Sequence, residues 1–356
     1  MVDYVEIPRS RTKRVLKALY LLLINLPKYR HKLIRAINFV KYHKYGIESF
    51  SLAYLYISLF FLKKNKQLDI VYAPFGPSGI LATQLKTIGV LNAPIVTSFH
   101  GHDISALIDK KGEGFYDYLF KKGDLFMPIS AYWKKKLISL GCPTKKVIIH
   151  HMGVDIERFK FKTRTFTKSL RLISVCRLVE KKGIKYALEA LYEFKKNYPD
   201  IPFRYTIIGN GPLEKQLKNL TKKFSLRQNV DFKGWLNQTG VLKMLDKNDV
   251  FLAPSCKGKD GDMEGIPVSI MEAMAKGLIV ISTKHSGIPE LVIDKKSGLL
   301  VLERNSSEIA KSIKHLALNK KRWPYYSNNS RKVIENKFNI NHLNDELLKI
   351  FNDILD

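Results

Sequence analysis

The stretch LRLISVCRLVEKKGIKYALEALYEFKKN, residues 170–197, decides the fold class. An apolar, β-branched run, LRLISVCRL, gives way through a charged, glycine-ended turn to a helical stretch, IKYALEALYEFKKN. A strand that feeds a helix in this way is the repeating unit of a parallel sheet, whose neighbouring strands need crossover connections. The pattern recurs downstream. FRYTIIGNG, VDFKGW, DVFLAPS and LIVISTKHSG read as further strands, with LLVLE near the end and PLEKQLKNLTKKF as a helix between them. Upstream, LDIVYA, APIVTSFH, DLFMPIS and KVIIHHMG read as four strands, separated by helical stretches such as SGILATQLKTIG and AYWKKKLISLG. Residues 159–168 are polar and basic without apolar periodicity, and read as a linker. The fold class is therefore α/β, with two doubly wound, Rossmann-like domains facing a cleft. The expected division is an N-terminal domain over 1–158, a C-terminal domain over 159–335, and a final helix over 336–356 that packs back on the first domain.

Bulk properties agree with that plan. At 356 residues the chain exceeds what one hydrophobic core usually serves. No run approaches the roughly 18 apolar residues needed to span a bilayer, and Met1–Arg14 lacks the apolar stretch of a secretory signal. A cytoplasmic protein is expected. Cys142, Cys176 and Cys256 are far apart and form no CxxC, which argues against a disulfide framework and a cysteine zinc site. The formal charge of +29 calls for a polyanionic neighbour. Residues 9–44 alternate basic and apolar positions at helical spacing, with Pro27 as a break, so the expected neighbour is an anionic membrane surface. Nucleic acid has only the charge in its favour, with no recognition motif.

The residues that could do chemistry gather just after the strands, where open parallel sheets bind ligands. Gly209 and Gly211 of IIGNGP follow a strand and allow close backbone approach to a phosphate or ribose. CRLVEKKG offers Arg177 and Lys182, cations suited to a diphosphate. EGIPVSIMEAMAKG, residues 264–277, places Gly265, Ile266, Pro267 and Val268 at a helix start, a natural anion site, with Pro267 read into the first helical turn. Glu264 and Glu272 lie eight positions apart, about 12 Å on a helix, too far to act on one bond as a glycosidase pair. Two carboxylates flanking a diphosphate suit hydroxylated groups on either side of it, one sugar and one ribose. The ligand so described is a nucleotide sugar. His100, His102 and Asp103 of FHGHD are metal-ligand types, but no third neutral ligand lies near, since His150 and His151 are on another segment; no metal is expected.

PSCKGKDGDMEGIPVSIMEAMAKGLIVISTKHSGIPELVIDKKSGLLV, with its two glutamates separated by seven residues, closely resembles glycosyltransferase family 4, retaining enzymes of the GT-B fold. FGPSGILAT, FHGHD, PIS, GVDIERF, CRLVEKKG, IIGNGP and FKGW extend the likeness from about residue 68 onward; DGDMEGIPVSIMEAMA with FHGHD is most similar to the subgroup that builds colanic acid, amylovoran and related exopolysaccharides. The resemblance implies that Glu264 binds hydroxyls of the transferred sugar, the backbone from Gly265 to Val268 its phosphates and sugar, and Glu272 the ribose. It implies that Arg177 and Lys182 neutralise the leaving diphosphate. By the same resemblance Phe232, Lys233, Gly234 and Trp235 lie near the base, His100 stands at the reacting sugar, and no cofactor or metal is used. The implied reaction moves a hexose from a nucleotide-diphosphate sugar to a lipid-linked or growing surface polysaccharide, on the inner face of the cytoplasmic membrane. One departure stands out. The first strand-like run begins only at Leu68, as if the opening strand–helix units were missing, and this raises the alternative of a subunit that needs a partner glycosyltransferase chain.

Overall fold

The computed structural model describes residues 8, 10, 12–24, 53–64 and 68–356. Residues 12–24 are helical, as is Ala53–Lys64. The remainder of the expected basic region, including the break at Pro27, lies outside the described residues.

Nine strands form two parallel sheets among the described residues. In the first, β1 (Val71–Ala73), β2 (Ile95–Phe99) and β3 (Leu125–Pro128) stand in chain order. The helix Gly76–Thr87 covers one crossover, and its packing is close enough that a side chain at Gly76 would enter the Tyr116 ring. In the second sheet, β4 (Leu170–Val175), β5 (Phe203–Ile208), β6 (Val230–Gly234), β7 (Val250–Ala253), β8 (Ile279–Thr283) and β9 (Gly298–Val301) are ordered β6-β5-β4-β7-β8-β9. Renumbered within the domain, that is the doubly wound order 3-2-1-4-5-6. Strand order reverses between the parallel neighbours β4 and β7, and the crevice beyond their carboxyl ends is where this topology binds ligands. Arg171 ties the two strands together with a bidentate ion pair to Asp249, at 2.7 and 2.8 Å.

Each face of the second sheet carries its own core. Leu188, Leu191 and Phe194 of the helix Ile184–Asn197 pack on one side with Leu172, Tyr205 and Ile313. Ile270, Met271 and Met274 of the helix Val268–Ala275 pack on the other with Ile173, Val280 and Ile334. The final helix, Ile340–Leu355, leaves this domain and lays Leu347, Ile350, Phe351 and Ile354 against Val96, Leu125 and Met127 of the first sheet. The chain thus passes between the domains twice, and the two passages pair at Val154 and Asn339.

Several sequence expectations need correction. KVIIHHMG does not add a fourth strand: Val147 makes only an isolated bridge to Phe126, because the edge beyond β3 is taken up by a loop heading for the second domain. The boundary at 335 cuts the last turn of the helix Trp323–Lys337, which stays with the second core through Val333 and Ile334. Residues 159–168 carry no regular structure, yet they are no free linker. Arg164 is 1% exposed, its guanidinium donating to the carbonyls of Asp246 (3.2 Å) and Lys276 (3.0 Å). Arg331 donates to the carbonyl of Phe159 at 2.9 Å. A polar composition hid one buried anchor, since Arg164 satisfies backbone carbonyls while Lys160, Lys162 and Lys168 stay exposed.

Removing the Arg164 guanidinium leaves two buried carbonyls without donors, a loss of charge-assisted hydrogen bonds worth about 2 to 4 kcal/mol. Urea unfolding of Arg164→Ala is therefore expected to show a loss of that size, with the m-value unchanged.

Candidate active site

The loops after β4, β5 and β7 meet at the switch point. Gly209 has φ +123°, and a side chain there would enter the carbonyl of Cys176; a side chain at Gly211 would meet Leu178 backbone. These glycines let the β5 loop lie directly on the β4 loop, where Leu178 N–H donates to the Asn210 carbonyl at 2.9 Å. That contact fixes the path of CRLVEKKG. Arg177 emerges exposed and makes no ion pair among the described residues, while Lys182 turns inward.

Glu264 is the centre of the arrangement. Its side chain is 7% exposed, and Lys182 Nζ lies 2.6 Å from Oε1. The approach is off the line of a good hydrogen bond, so that oxygen, itself shut off from solvent, has an ionic partner and no hydrogen bond. A carboxylate buried without a cation would be strongly disfavoured; the Lys182 ammonium makes its burial tenable. The backbone is held as firmly. Glu264 N–H donates to His285 Nε2 at 3.1 Å, and the opposite nitrogen of that fully buried ring, Nδ1, bonds Glu303 Oε1 at 2.6 Å. Because Nε2 is the acceptor, Nδ1 carries the hydrogen. The chain Glu303–His285–Glu264 aims the carboxylate, and sequence reasoning passed over its first two members. They stood in STKHSG and LLVLE, quoted only as strand ends, with no local signal of their meeting.

The two glutamates are not on one helix. Glu264 lies in the preceding loop, and the helix begins at Val268 with Pro267 as its N-cap, one step outside the first turn where it was expected. Proline has no N–H to lose there, and the N–H groups of Val268 and Ser269 have no carbonyl within the helix to reach. With Gly265 and the buried Ile266 before them, they present donors and the positive dipole end to the crevice. Glu272 sits one turn further on, half-buried, where burial raises its pKa against the pull of Arg158. The expected base-side residues divide. Trp235 is 71% exposed at the end of β6, and the Gly234 carbonyl accepts from Gly209 N–H at 2.8 Å. Phe232 instead packs on the core with Lys218 over its ring, and Lys233 pairs with Asp231 at 2.5 Å.

The first domain supplies the opposite wall. Asp103, 3% exposed, gathers the FHGHD loop by accepting from the N–H groups of Gly76 (3.1 Å), His100 (3.0 Å) and Gly101 (3.1 Å). Gly101, at φ +123°, lies against the backbone of Glu264 and Gly265, and a side chain on Gly265 would strike the His100 carbonyl. The domains therefore touch backbone to backbone beside the buried carboxylate. His100 itself is held within its own domain, Nε2 at 3.0 Å from Ser98 Oγ, Nδ1 at 3.3 Å from Met152 Sδ, and its ring 4.8 Å from that of Phe75. Burial lowers its pKa, only partly offset by Asp103 and the Pro74 carbonyl, so the imidazole is neutral at neutral pH. Among the described residues no group of three or more His, Cys, Asp and Glu is arranged to hold a metal ion.

A second clasp joins the domains close by, where Gly287 lies against Ser130 and Gly265. Glu290 accepts from Ala131 N–H (3.0 Å) and Tyr132 N–H (3.2 Å), the start of the helix Ala131–Ser139, and lies 3.2 Å from His151 Nε2. A carboxylate at a helix start is favoured by the free N–H groups and the dipole.

Residues 22–158 match the family model described as Glycosyltransferase Family 4, and residues 155–333 match Glycosyl transferases group 1. The chain belongs to glycosyltransferase family 4. This glycosyltransferase is 41% identical over 285 residues to the putative colanic acid biosynthesis glycosyltransferase WcaL of Escherichia coli K12, covering 79% of the chain and 70% of the relative. It is 44% identical over 250 residues to the amylovoran biosynthesis glycosyltransferase AmsK of Erwinia amylovora, covering 70% of the chain and 61% of the relative. Among solved structures it resembles Anabaena HepE in complex with UDP, with a TM-score of 0.72 at 15% identity over 92% of this chain and 97% of that one. It also resembles the lipopolysaccharide outer core galactosyltransferase WaaB in its apo form, with a TM-score of 0.68 at 18% identity over 87% and 82% of the two chains. At such identities the likeness speaks to the fold, which is GT-B.

The Glu290 clasp has a pH signature. Burial pushes the Glu290 pKa up, but the bonds from His151, Ala131 and Tyr132 outweigh it, leaving the folded value below the ordinary 4.5. A depressed carboxylate contributes stability that is full above its unfolded pKa and lost as pH falls through the folded one. Stability curves for Glu290→Gln and the parent chain are expected to differ at neutral pH and to converge between about pH 5 and pH 3.

Proposed function

We propose that the chain is a retaining glycosyltransferase that moves a hexose from a nucleotide-diphosphate sugar to a hydroxyl of a lipid-linked or growing surface polysaccharide. The observation that carries this reading is the buried Glu264 carboxylate just before the helix Val268–Ala275, paired with Lys182 of the loop that also carries exposed Arg177. In the proposed complex the diphosphate lies against Arg177, Lys182 and the N–H groups from Gly265 to Val268. The sugar hydroxyls donate to Glu264 and the ribose hydroxyls to Glu272. Trp235 and Gly234 border the base, while neutral His100 walls the reacting sugar from the first domain.

The difficult event is rupture of the bond between the anomeric carbon and the diphosphate oxygen. Positive charge grows on the sugar as negative charge grows on the leaving group. Fixed cations and a helix dipole aimed at the latter stabilise that separation without reorganising. Glu264 already has Lys182 as counter-ion, so it serves as a hydroxyl acceptor rather than a nucleophile. The reading is accordingly front-face displacement, in which the departing phosphate oxygen takes the acceptor hydroxyl's proton as the new glycosidic bond forms. No metal is assigned a part.

The names of the relatives, colanic acid and amylovoran biosynthesis, support a surface polysaccharide as the product. Membrane placement follows the same reading. The helix over 12–24 exposes Leu16, Leu19 and Leu23 beside Lys13 and Lys17, a face suited to anionic lipid on the inner side of the cytoplasmic membrane. Among the described residues no helix is long and apolar enough to cross a membrane.

Glu264→Ala and Arg177→Ala are each expected to lower turnover at least about a hundredfold, in line with the loss of preorganised electrostatic contacts. A metal-free thermal-shift panel of UDP, GDP, ADP and their hexose conjugates should single out one base by raising the melting temperature. Near-normal turnover in both variants, or no shift with any nucleotide at millimolar concentration, would defeat the proposal.

A further inference from the structure

His102 and Asp262 stand 160 positions apart in the chain and on opposite sides of the cleft, with His102 Nδ1 3.2 Å from Asp262 Oδ1. The second oxygen of Asp262 lies 2.8 Å from Lys181 Nζ. Burial alone would raise the Asp262 pKa, but Lys181 and His102 outweigh it and hold the group below its ordinary value. Asp262 is therefore a carboxylate at neutral pH and can only accept. A ring that donates to Asp262 through Nδ1 has, in its uncharged form, a bare lone pair on Nε2. That nitrogen has no hydrogen-bond partner among the described residues, and the side chain is 67% exposed. It lines a cavity of about 560 Å³ together with Arg177, Lys181, Lys259 and Asp262.

A purely structural role explains little of this. One 3.2 Å bond from an exposed ring to a carboxylate already neutralised by Lys181 adds little to the hold between the domains. The Gly101–Gly265 contact and the Glu290 clasp already serve that purpose. What the pair does supply is an oriented hydrogen-bond acceptor in a cavity that shares Arg177 with the donor side. Sugar acceptors present hydroxyls, and a hydroxyl needs such a partner to hold its oxygen in one direction.

We propose that His102 contacts the acceptor sugar, its Nε2 accepting a hydrogen bond from an acceptor hydroxyl, and that Asp262 is the positioning residue that fixes the ring's tautomer and direction. The assignment rests on the glycosyltransferase reading above and adds to it the acceptor-side contact. The cavity of about 560 Å³ is then the acceptor subsite, assembled only when the FHGHD loop and the Lys257–Asp262 loop face each other as they do here.

Two substitutions separate contact from scaffold. His102→Asn keeps an N–H donor toward Asp262 and leaves nothing where Nε2 was. His102→Gln places a carbonyl oxygen near Nε2 and loses the donor. The full chain and both variants would be given membranes from the source strain lacking this gene, which carry the unextended acceptor, and a mixture of labelled UDP-glucose, UDP-galactose, UDP-N-acetylglucosamine and GDP-mannose. Transfer of label to lipid-extractable material is followed against membrane amount, and the thermal shift given by UDP or GDP is measured alongside. Loss of one substrate hydrogen bond predicts a fall of about tenfold or more for His102→Asn at limiting membrane, with His102→Gln retaining the larger share. The nucleotide shift should match the parent chain in both. The opposite order of the two variants, near-normal transfer in both, or a lost nucleotide shift would overturn the assignment. If the parent chain itself shows neither transfer nor a nucleotide shift, the glycosyltransferase reading fails first and the assignment falls with it.

Discussion

A carboxylate taken out of water must be given a cation and a reason to stay, and Glu264 has both. Lys182 arrives from the loop after β4 and Glu264 from the loop after β7, so their ion pair joins the two strands that flank the switch point. His285 grips the Glu264 backbone from the loop after β8, and Glu303, just past β9, orients His285. Four consecutive positions of the half-sheet from β4 to β9 thus converge on one residue. The cost of its burial is met by contacts that the doubly wound order alone brings together.

The same point organises the relation between the domains. Gly265 follows Glu264 directly, and it is there that Gly101 and the His100 carbonyl of the first domain press in. Glycine on both sides permits an approach that any side chain would block, so the FHGHD loop reaches the backbone of Glu264 and Gly265. Asp103 gives that loop its shape by absorbing three N–H groups that would otherwise be unsatisfied. Charge at the crevice is then unequal: Lys182 already has a partner in Glu264, so only part of its charge is left for an anion, whereas Arg177 is exposed with no ion pair among the described residues.

What could be read from the sequence was whatever local pattern controls. LRLISV, FRYTII and the helix IKYALEALYEFKKN appear in the structure where their apolar patterning placed them, because each buries its own face against one core. KVIIHHMG has the composition of a strand and donates from Ile148 and His150 to Phe126 and Pro128 of β3, yet it completes only a single bridge before leaving for the second domain. Arg164 looked like linker charge because hydrophobic pattern says nothing about a cation that satisfies buried carbonyls. Within the candidate site, Glu264, Arg177, Lys182 and the helix start were legible as candidates, from residue type and spacing together with the family resemblance. The partners Asp103, His285, Glu303 and Glu290 were not, since their importance lies in contacts made through the fold. His102 and Asp262 are the extreme case, quoted within motifs yet joined only across the cleft.

The central claim is that the buried Glu264 carboxylate marks a donor site whose diphosphate lies between Arg177 and the start of the helix Val268–Ala275. A crystal structure of the chain with bound UDP or GDP, grown without divalent metal, tests it most directly. The account predicts phosphate oxygens within hydrogen-bond distance of the Arg177 guanidinium and of N–H groups between Gly265 and Val268, with Glu264 still beside Lys182. A diphosphate bound elsewhere, or a Glu264 side chain swung out to solvent with Lys182 released, would contradict it.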